Sequence, residues 1–208
     1  MQDWLPLFIV YFAVMDPLGI MPIFLSLTDG FKPAQKYQIA LRGCIVAFFV
    51  LLFFGVFGEI ILSYLGVSPA AFNIAGGTLL FLIAVEMVMN KRQVRKRKSV
   101  EAEVKADIES LAASPLGVPL LAGPGAITSV MVFGSFQSVD DIVLNASAIL
   151  AVLTLTGLML AATAWAARFV NLTIMTVMSR IVGILLAAIA VQTVLEGLSY
   201  FGVTKLAG

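Results

Sequence analysis

The sequence predicts an all-α polytopic membrane protein: six transmembrane helices arranged as two inverted three-helix repeats, with helices 1 and 4 kinked or broken. Of its 208 residues 61% are hydrophobic and 12% charged, with mean hydropathy +1.04. That is far more apolar than the roughly 45–50% of an ordinary globular domain. Six apolar runs, near residues 5–28, 43–64, 69–90, 115–136, 143–167 and 178–202, each supply the roughly 20 residues that cross a bilayer. The stretch Gly77-Thr-Leu-Leu-Phe-Leu-Ile-Ala-Val-Glu-Met-Val88 also recurs as Gly183-Ile-Leu-Leu-Ala-Ala-Ile-Ala-Val-Gln-Thr-Val194, identical at seven of twelve positions. Three crossings separate the copies, so they run in opposite directions, an arrangement typical of secondary transporters.

The first run follows Asp3 with no basic residue before it, so it is expected to remain as a span rather than be a cleaved signal. Lys32, Lys36 and Arg42 lead into the second run, whose Phe48, Phe49, Phe53, Phe54 and Phe57 suit lipid contact or core filling. Gly76 and Gly77 in the third run, and Gly183 in the sixth, let helices approach closely. Residues 91–113 join the first repeat, 1–90, to the second, 114–208, through seven basic residues between Lys91 and Lys105 and the acids Glu101, Glu103, Asp107 and Glu109. Arg168 and Arg180 follow the fifth run. Twelve of the thirteen basic residues thus fall on one side, and only Lys205 on the other. The positive-inside rule then places loop 91–113 in the cytoplasm and both termini outside.

Several function classes recede on composition. A net charge of +1 offers no nucleic-acid surface. One cysteine, Cys44, and no histidine provide neither an internal disulfide nor the usual zinc or copper ligands. No metal and no cofactor are expected, beyond a proton or sodium ion for coupling. An enzyme is not expected either, since no His-Glu-x-x-His, Ser–Lys or paired-Asp arrangement is present.

Runs 1 and 4 are the most interrupted. Run 1 contains Asp16-Pro-Leu-Gly-Ile-Met-Pro22, and run 4 contains Pro115-Leu-Gly-Val-Pro-Leu-Leu-Ala-Gly-Pro-Gly-Ala-Ile-Thr128. Proline removes a backbone donor and glycine admits conformations closed to other residues. Asp16 lies roughly 18 Å and Gly123 roughly 14 Å along their runs by helical rise, so both breaks sit near mid-bilayer. Freed backbone groups there must face protein or a wet cavity, which marks a transporter's binding site.

The candidate binding residues are Asp16, Pro17, Gly19, Gly123, Pro124, Gly125, Ala126 and Thr128. A half-helix beginning after Gly125 would offer the N–H groups of Ala126, Ile127 and Thr128 to a carboxylate. Asp16 would face an ammonium group or a coupling cation, and a small zwitterion fits both. Plain kinking and helix capping by Asp16 explain the same residues without a ligand. Glu86, Gln192 and Arg180 join Asp16 as coupling candidates, because ionisable groups inside a membrane need a partner, a proton or water. Glu86 and Gln192 occupy equivalent repeat positions. Interfacial pairing or snorkelling is the simpler role for Glu86, Arg180, Glu59 and Glu196.

Three stretches carry a family resemblance: the Asp16–Pro22 motif, Phe72-Asn-Ile-Ala-Gly-Gly-Thr-Leu-Leu-Phe-Leu-Ile-Ala-Val85, and the run 4 motif. The chain resembles the MarC family of integral membrane proteins along essentially its whole length, with run 4 the most specific part. The resemblance implies an inner-membrane protein of bacteria or archaea, related to the amino-acid exporter superfamily that includes lysine exporters. Some members are described as small neutral amino acid transporters for glycine or alanine. The family's usual residue before the run 1 proline is Asn, so Asp16 departs from it and adds a negative charge.

The expected function is secondary transport of small neutral amino acids, coupled to protons or sodium or acting as an efflux valve. A channel or other small-solute efflux protein, and a membrane assembly subunit without transport of its own, are the alternatives. The expected partners are the amino-acid substrate and the lipid bilayer, with room left for a homo-oligomer.

Overall fold

The computed structural model describes residues 3–89, 112–166 and 172–201. All regular structure among them is helical: α1 (Trp4–Met15), α2 (Pro17–Leu27), α3 (Pro33–Tyr64), α4 (Pro69–Val88), a π-helix π1 (Ala112–Leu121), α5 (Pro124–Phe133), α6 (Val139–Ala166) and α7 (Leu172–Ser199). The basic and acidic segment expected at 91–113 lies, but for its last two residues, outside the described residues, as do Arg168 and Lys205.

Prolines open four of these helices, α2, α3, α4 and α5, because the first helical position needs no N–H and has the φ that proline imposes. Ser68 Oγ caps α4 by accepting the Ala71 N–H at 3.2 Å. At α3 the Lys32 N–H donates to Gln35 Oε1 at 2.9 Å. That start lies ten residues ahead of the apolar run predicted at 43–64, because hydropathy marks where a helix meets hydrocarbon rather than where its hydrogen bonds begin.

Five runs are long and apolar enough to cross a membrane: Trp4–Leu27, Pro33–Tyr64, Pro69–Val88, Val139–Thr163 and Thr173–Ser199. The fourth predicted run, 115–136, is divided between π1 and α5 at Ala122 and Gly123. The Ala122 N–H bonds five residues back to Gly117 O at 2.9 Å, a widened turn. Each piece has ten residues, and at about 15 Å of helical rise α5 alone is half the hydrocarbon thickness.

Trp4–Leu27 is the hub of the bundle. In its apolar window 72% of residues are buried inside the protein, against 22–33% for the other four long runs. Helices α5, α6 and α7 all pack on α1, and α6 and α7 also pack on α2. The outer helices turn Phe49, Phe53, Leu82, Leu158 and Ile184 outward, as a lipid-facing surface requires.

Among the described residues the most extensively packed helix pair is α4 with α7, and its glycines make reciprocal contacts. A methyl group at Gly77 would lie 2.8 Å from both Ala190 O and Val194 Cγ2. One at Gly183 would meet Met87 Cβ at 2.8 Å, Ala84 O at 3.2 Å and Val88 Cγ2 at 3.4 Å. Backbone oxygens cannot swing aside, so Gly77→Ala is expected to cost about 1–3 kcal/mol of stability, read as a lower thermal midpoint in detergent. Gly157→Ala should be neutral, because its methyl would meet only Cys44 Sγ at an ordinary 3.4 Å. Equal midpoints for the two variants would refute the close-packing account of Gly77.

Candidate functional site

One residue joins α1 to α2. Asp16 has φ 54° and ψ 62°, and among the described residues no other non-glycine has a positive φ. Its N–H closes α1 on Phe12 O at 3.0 Å, and its C=O opens α2 by accepting from Ile20 N at 3.1 Å. Its Oδ1 accepts the Gly19 N–H at 3.1 Å. Asp16 is therefore the C-cap of one helix and the N-cap of the next. Aspartate and asparagine are the non-glycine residues that visit this left-handed region most readily, and holding one there costs of order 1–3 kcal/mol.

The carboxylate is held from across the bundle as well. Ser179 Oγ, on α7, lies 2.9 Å from Asp16 Oδ1 and 3.0 Å from Oδ2 and donates to that edge. Asp16 is 4% exposed and Ser179 3%. Gly19 is required beneath it: a Cβ there would overlap Oδ2 and lie 2.8 Å from Cγ. Sequence reasoning singled out Arg180 and passed over its neighbour Ser179. One residue step turns a helical side chain by about 100°, and the structure places Ser179 inward and Arg180 on the exposed face.

The second break abuts the first. Gly123 is the extended N-cap of α5, with no side-chain cap. The helix begins at Pro124, ahead of the start expected after Gly125. The Ile127 N–H, expected to be free, donates to Gly123 O at 3.0 Å. Helix geometry then leaves Gly125 and Ala126 as the first-turn N–H groups without an intrahelical acceptor. Gly125 is buried; a methyl on it would strike Ile83 Cδ1 of α4 and come within 3.3 Å of Val14 Cγ1, two residues before Asp16. Thr128 is buried one turn on, its Cγ2 facing Gly76 of α4. The N-terminal end of α5 thus lies against the last turn of α1, so an acidic acceptor and a helix N-terminus belong to adjoining segments.

The other candidates are dispersed. Pro17 is buried at the start of α2, while Pro124 is exposed and Gly123 half-buried. Glu86 is half-buried on α4. Gln192 lies on the exposed side of α7, its Nε2 donating to Glu196 Oε1 at 3.0 Å. Among the described residues no group of three His, Cys, Asp or Glu side chains converges to hold a metal ion.

A second buried polar cluster, not anticipated from sequence, ties α1 to α6. Tyr11 and Asn145 are fully buried. The Tyr11 hydroxyl donates to Asn145 Oδ1 at 2.9 Å. The Asn145 amide donates to Ser135 O at 2.8 Å and Asp141 O at 3.0 Å, which fixes the turn leaving α5. An Asn inside an apolar run was the available signal, but its partner on α1 is 134 positions away. Tyr11→Phe leaves the amide oxygen without this donor in a dry site, and a cost of about 1–3 kcal/mol is expected. Tyr37→Phe, at a half-exposed position, should leave the thermal midpoint unchanged; similar midpoints for both would sink this account.

The sequence profile described as "MarC family integral membrane protein" matches residues 1–201. A UPF0056 membrane protein of Methanocaldococcus jannaschii is 37% identical over 201 residues, covering 95% of this chain and 97% of the relative. The UPF0056 membrane protein YvbG of Bacillus subtilis is 35% identical over 196 residues, 92% of each chain. YhcE of Escherichia coli, also a UPF0056 membrane protein, is 34% identical over 193 residues, covering 92% of this chain and 89% of its own. No solved structure matches the chain.

Proposed function

Because the chain belongs to the MarC family of integral membrane proteins, we propose that it is a secondary transporter of small neutral amino acids, with glycine and alanine as its substrate class. The observation that carries this reading is Asp16: a buried carboxylate, at a joint in the most enclosed run, beside the N-terminal end of a second half-helix. Asparagine would cap the joint and accept the same hydrogen bonds, so the negative charge is what the joint itself does not require. A substrate carboxylate would bind the Gly125 and Ala126 N–H groups at the positive end of the α5 dipole. The substrate ammonium, or a coupling proton or sodium ion, would be drawn to Asp16 and would displace the Ser179 hydroxyl. Gly19, Gly125 and Ala126 carry little side-chain bulk, which suits a small substrate.

Two inverted repeats would supply the moving parts. Gly77 meets Ala190 and Val194, and Gly183 meets Ala84 and Val88. These pairs interchange when every residue is shifted by the 106 positions that separate the two glycines, as a pseudo-two-fold axis between α4 and α7 requires. Alternating access would rock one half against the other around the breaks. The family resemblance supports an inner-membrane placement, and the basic residues an orientation with both termini outside.

Uptake and counterflow of labelled glycine and alanine in proteoliposomes test this, with and without imposed proton and sodium gradients. Saturable counterflow is expected, and the gradient that drives accumulation names the ion. Flux that never saturates would point to a channel. No flux from folded protein would remove amino-acid transport and leave the assembly-subunit reading.

A further inference from the structure

We propose that Ser179 is a latch on the empty carrier: its hydroxyl holds the place on Asp16 that the substrate's ammonium group takes, and turns back onto its own helix when substrate arrives. The latch deepens the amino-acid transport reading and rests on it. What carries the inference is the direction of the hydroxyl. Inside a helix a serine or threonine hydroxyl commonly bonds the carbonyl three or four residues back. The buried hydroxyls of Ser129, Thr156, Thr163 and Thr193 all do so, at 2.6–3.0 Å. Ser179 lies inside α7 (Leu172–Ser199), with the carbonyls of Met175 and Thr176 in the same positions behind it. Its hydroxyl instead donates across the bundle to a carboxylate 163 positions away. The hydroxyl thus has two acceptors a χ1 rotation apart, one on its own helix and one on the joint of α1 and α2.

The two oxygens of Asp16 are not equivalent. Oδ1 accepts the Gly19 N–H at 3.1 Å as well as the Ser179 hydroxyl at 2.9 Å. Among the described residues Ser179 is the one donor to Oδ2, at 3.0 Å. Release of the hydroxyl therefore opens Oδ2 to an ammonium group, while the Gly19 N–H keeps the joint capped. Neither position strands a buried hydroxyl proton, so the exchange avoids the desolvation cost of an unmade hydrogen bond. Ser179 is a positioning residue in this account, holding the carboxylate until substrate replaces it. The latch also ties the N-terminal half of the chain to α7 while the site is empty, and substrate unties it, which frees the relative movement that alternating access needs.

The KM for counterflow of labelled glycine in proteoliposomes tests the latch. In Ser179→Ala no hydroxyl has to be displaced, so KM should fall roughly fivefold, the gap between a hydrogen bond to a charged group and an ordinary one. Ser179→Thr restores the hydroxyl and should return KM to the wild-type value. An unchanged KM in Ser179→Ala would make the residue a plain cap on Asp16, and a raised KM would make it a substrate ligand; either result overturns the latch. Labelling of Asp16 by dicyclohexylcarbodiimide, read by peptide mass spectrometry, needs no substrate. Ser179→Ala should label severalfold faster than wild type, and Ser179→Thr at the wild-type rate. Equal rates in all three proteins would overturn the latch whether or not glycine moves. Faster labelling of Ser179→Ala in a protein that moves no glycine would uphold the latch on Asp16 and remove the amino-acid reading instead.

Discussion

Asparagine in place of Asp16 is expected to abolish gradient-driven accumulation of labelled glycine in proteoliposomes while leaving counterflow intact. Asparagine caps helices as well as aspartate does and also adopts the left-handed conformation that this joint needs. Its Oδ1 can still accept the Gly19 N–H and the Ser179 hydroxyl, so the joint keeps its shape. What disappears is the negative charge, and with it any attraction for a coupling proton or sodium ion. Exchange moves substrate down its own gradient and needs no net ion movement, so it survives. Asp16→Ala differs in kind: it loses the cap, a matter of about 0.5–2 kcal/mol, and leaves the buried Ser179 hydroxyl without its acceptor. Uphill accumulation by Asp16→Asn at the wild-type level would show that Asp16 only caps, and would move coupling elsewhere.

Gly19→Ala is expected to be the most damaging single methyl in the site. The added Cβ would overlap Asp16 Oδ2, so either the carboxylate leaves Ser179 and the Gly19 N–H or the joint opens. Overpacking together with a lost cap predicts a cost of about 2–4 kcal/mol, seen as a large drop in thermal midpoint and in counterflow. A second substitution isolates the cause. Glycine at position 16 keeps the positive φ and removes the carboxylate, so Asp16→Gly should cancel most of the Gly19→Ala penalty in the double variant. Residues in contact are where such non-additivity is found. If Gly19→Ala costs as much in the Asp16→Gly background as in wild type, the clash is not the reason.

Much of the fold was legible because its signals are local. Hydropathy located the six runs, and Asp16-Pro17 and Gly123-Pro124 marked where the two most interrupted ones divide, since proline and glycine act on their own backbone. Gly77 and Gly183 marked two helices that approach a neighbour closely, but that each is the other's neighbour emerged only in three dimensions. Helix ends were less legible: α3 starts at Pro33 rather than 43, and α5 starts at Pro124 rather than after Gly125. Both helices start at a proline in the first helical position, which the hydropathy profile does not register.

Residue identity along the chain thus determined the class of protein, the order of its apolar runs and the presence of an acid inside the first of them. The rotation of each helix was decided only in three dimensions. Ser179 rather than Arg180 meets Asp16, Gln192 turns outward to Glu196, and Tyr11 finds Asn145 across 134 positions. The physical reason is the solvent. In water an amphipathic stripe shows which face of a helix is buried; in a bilayer the lipid face and the core face are both apolar. Which side chains meet is then settled by packing between helices distant in sequence.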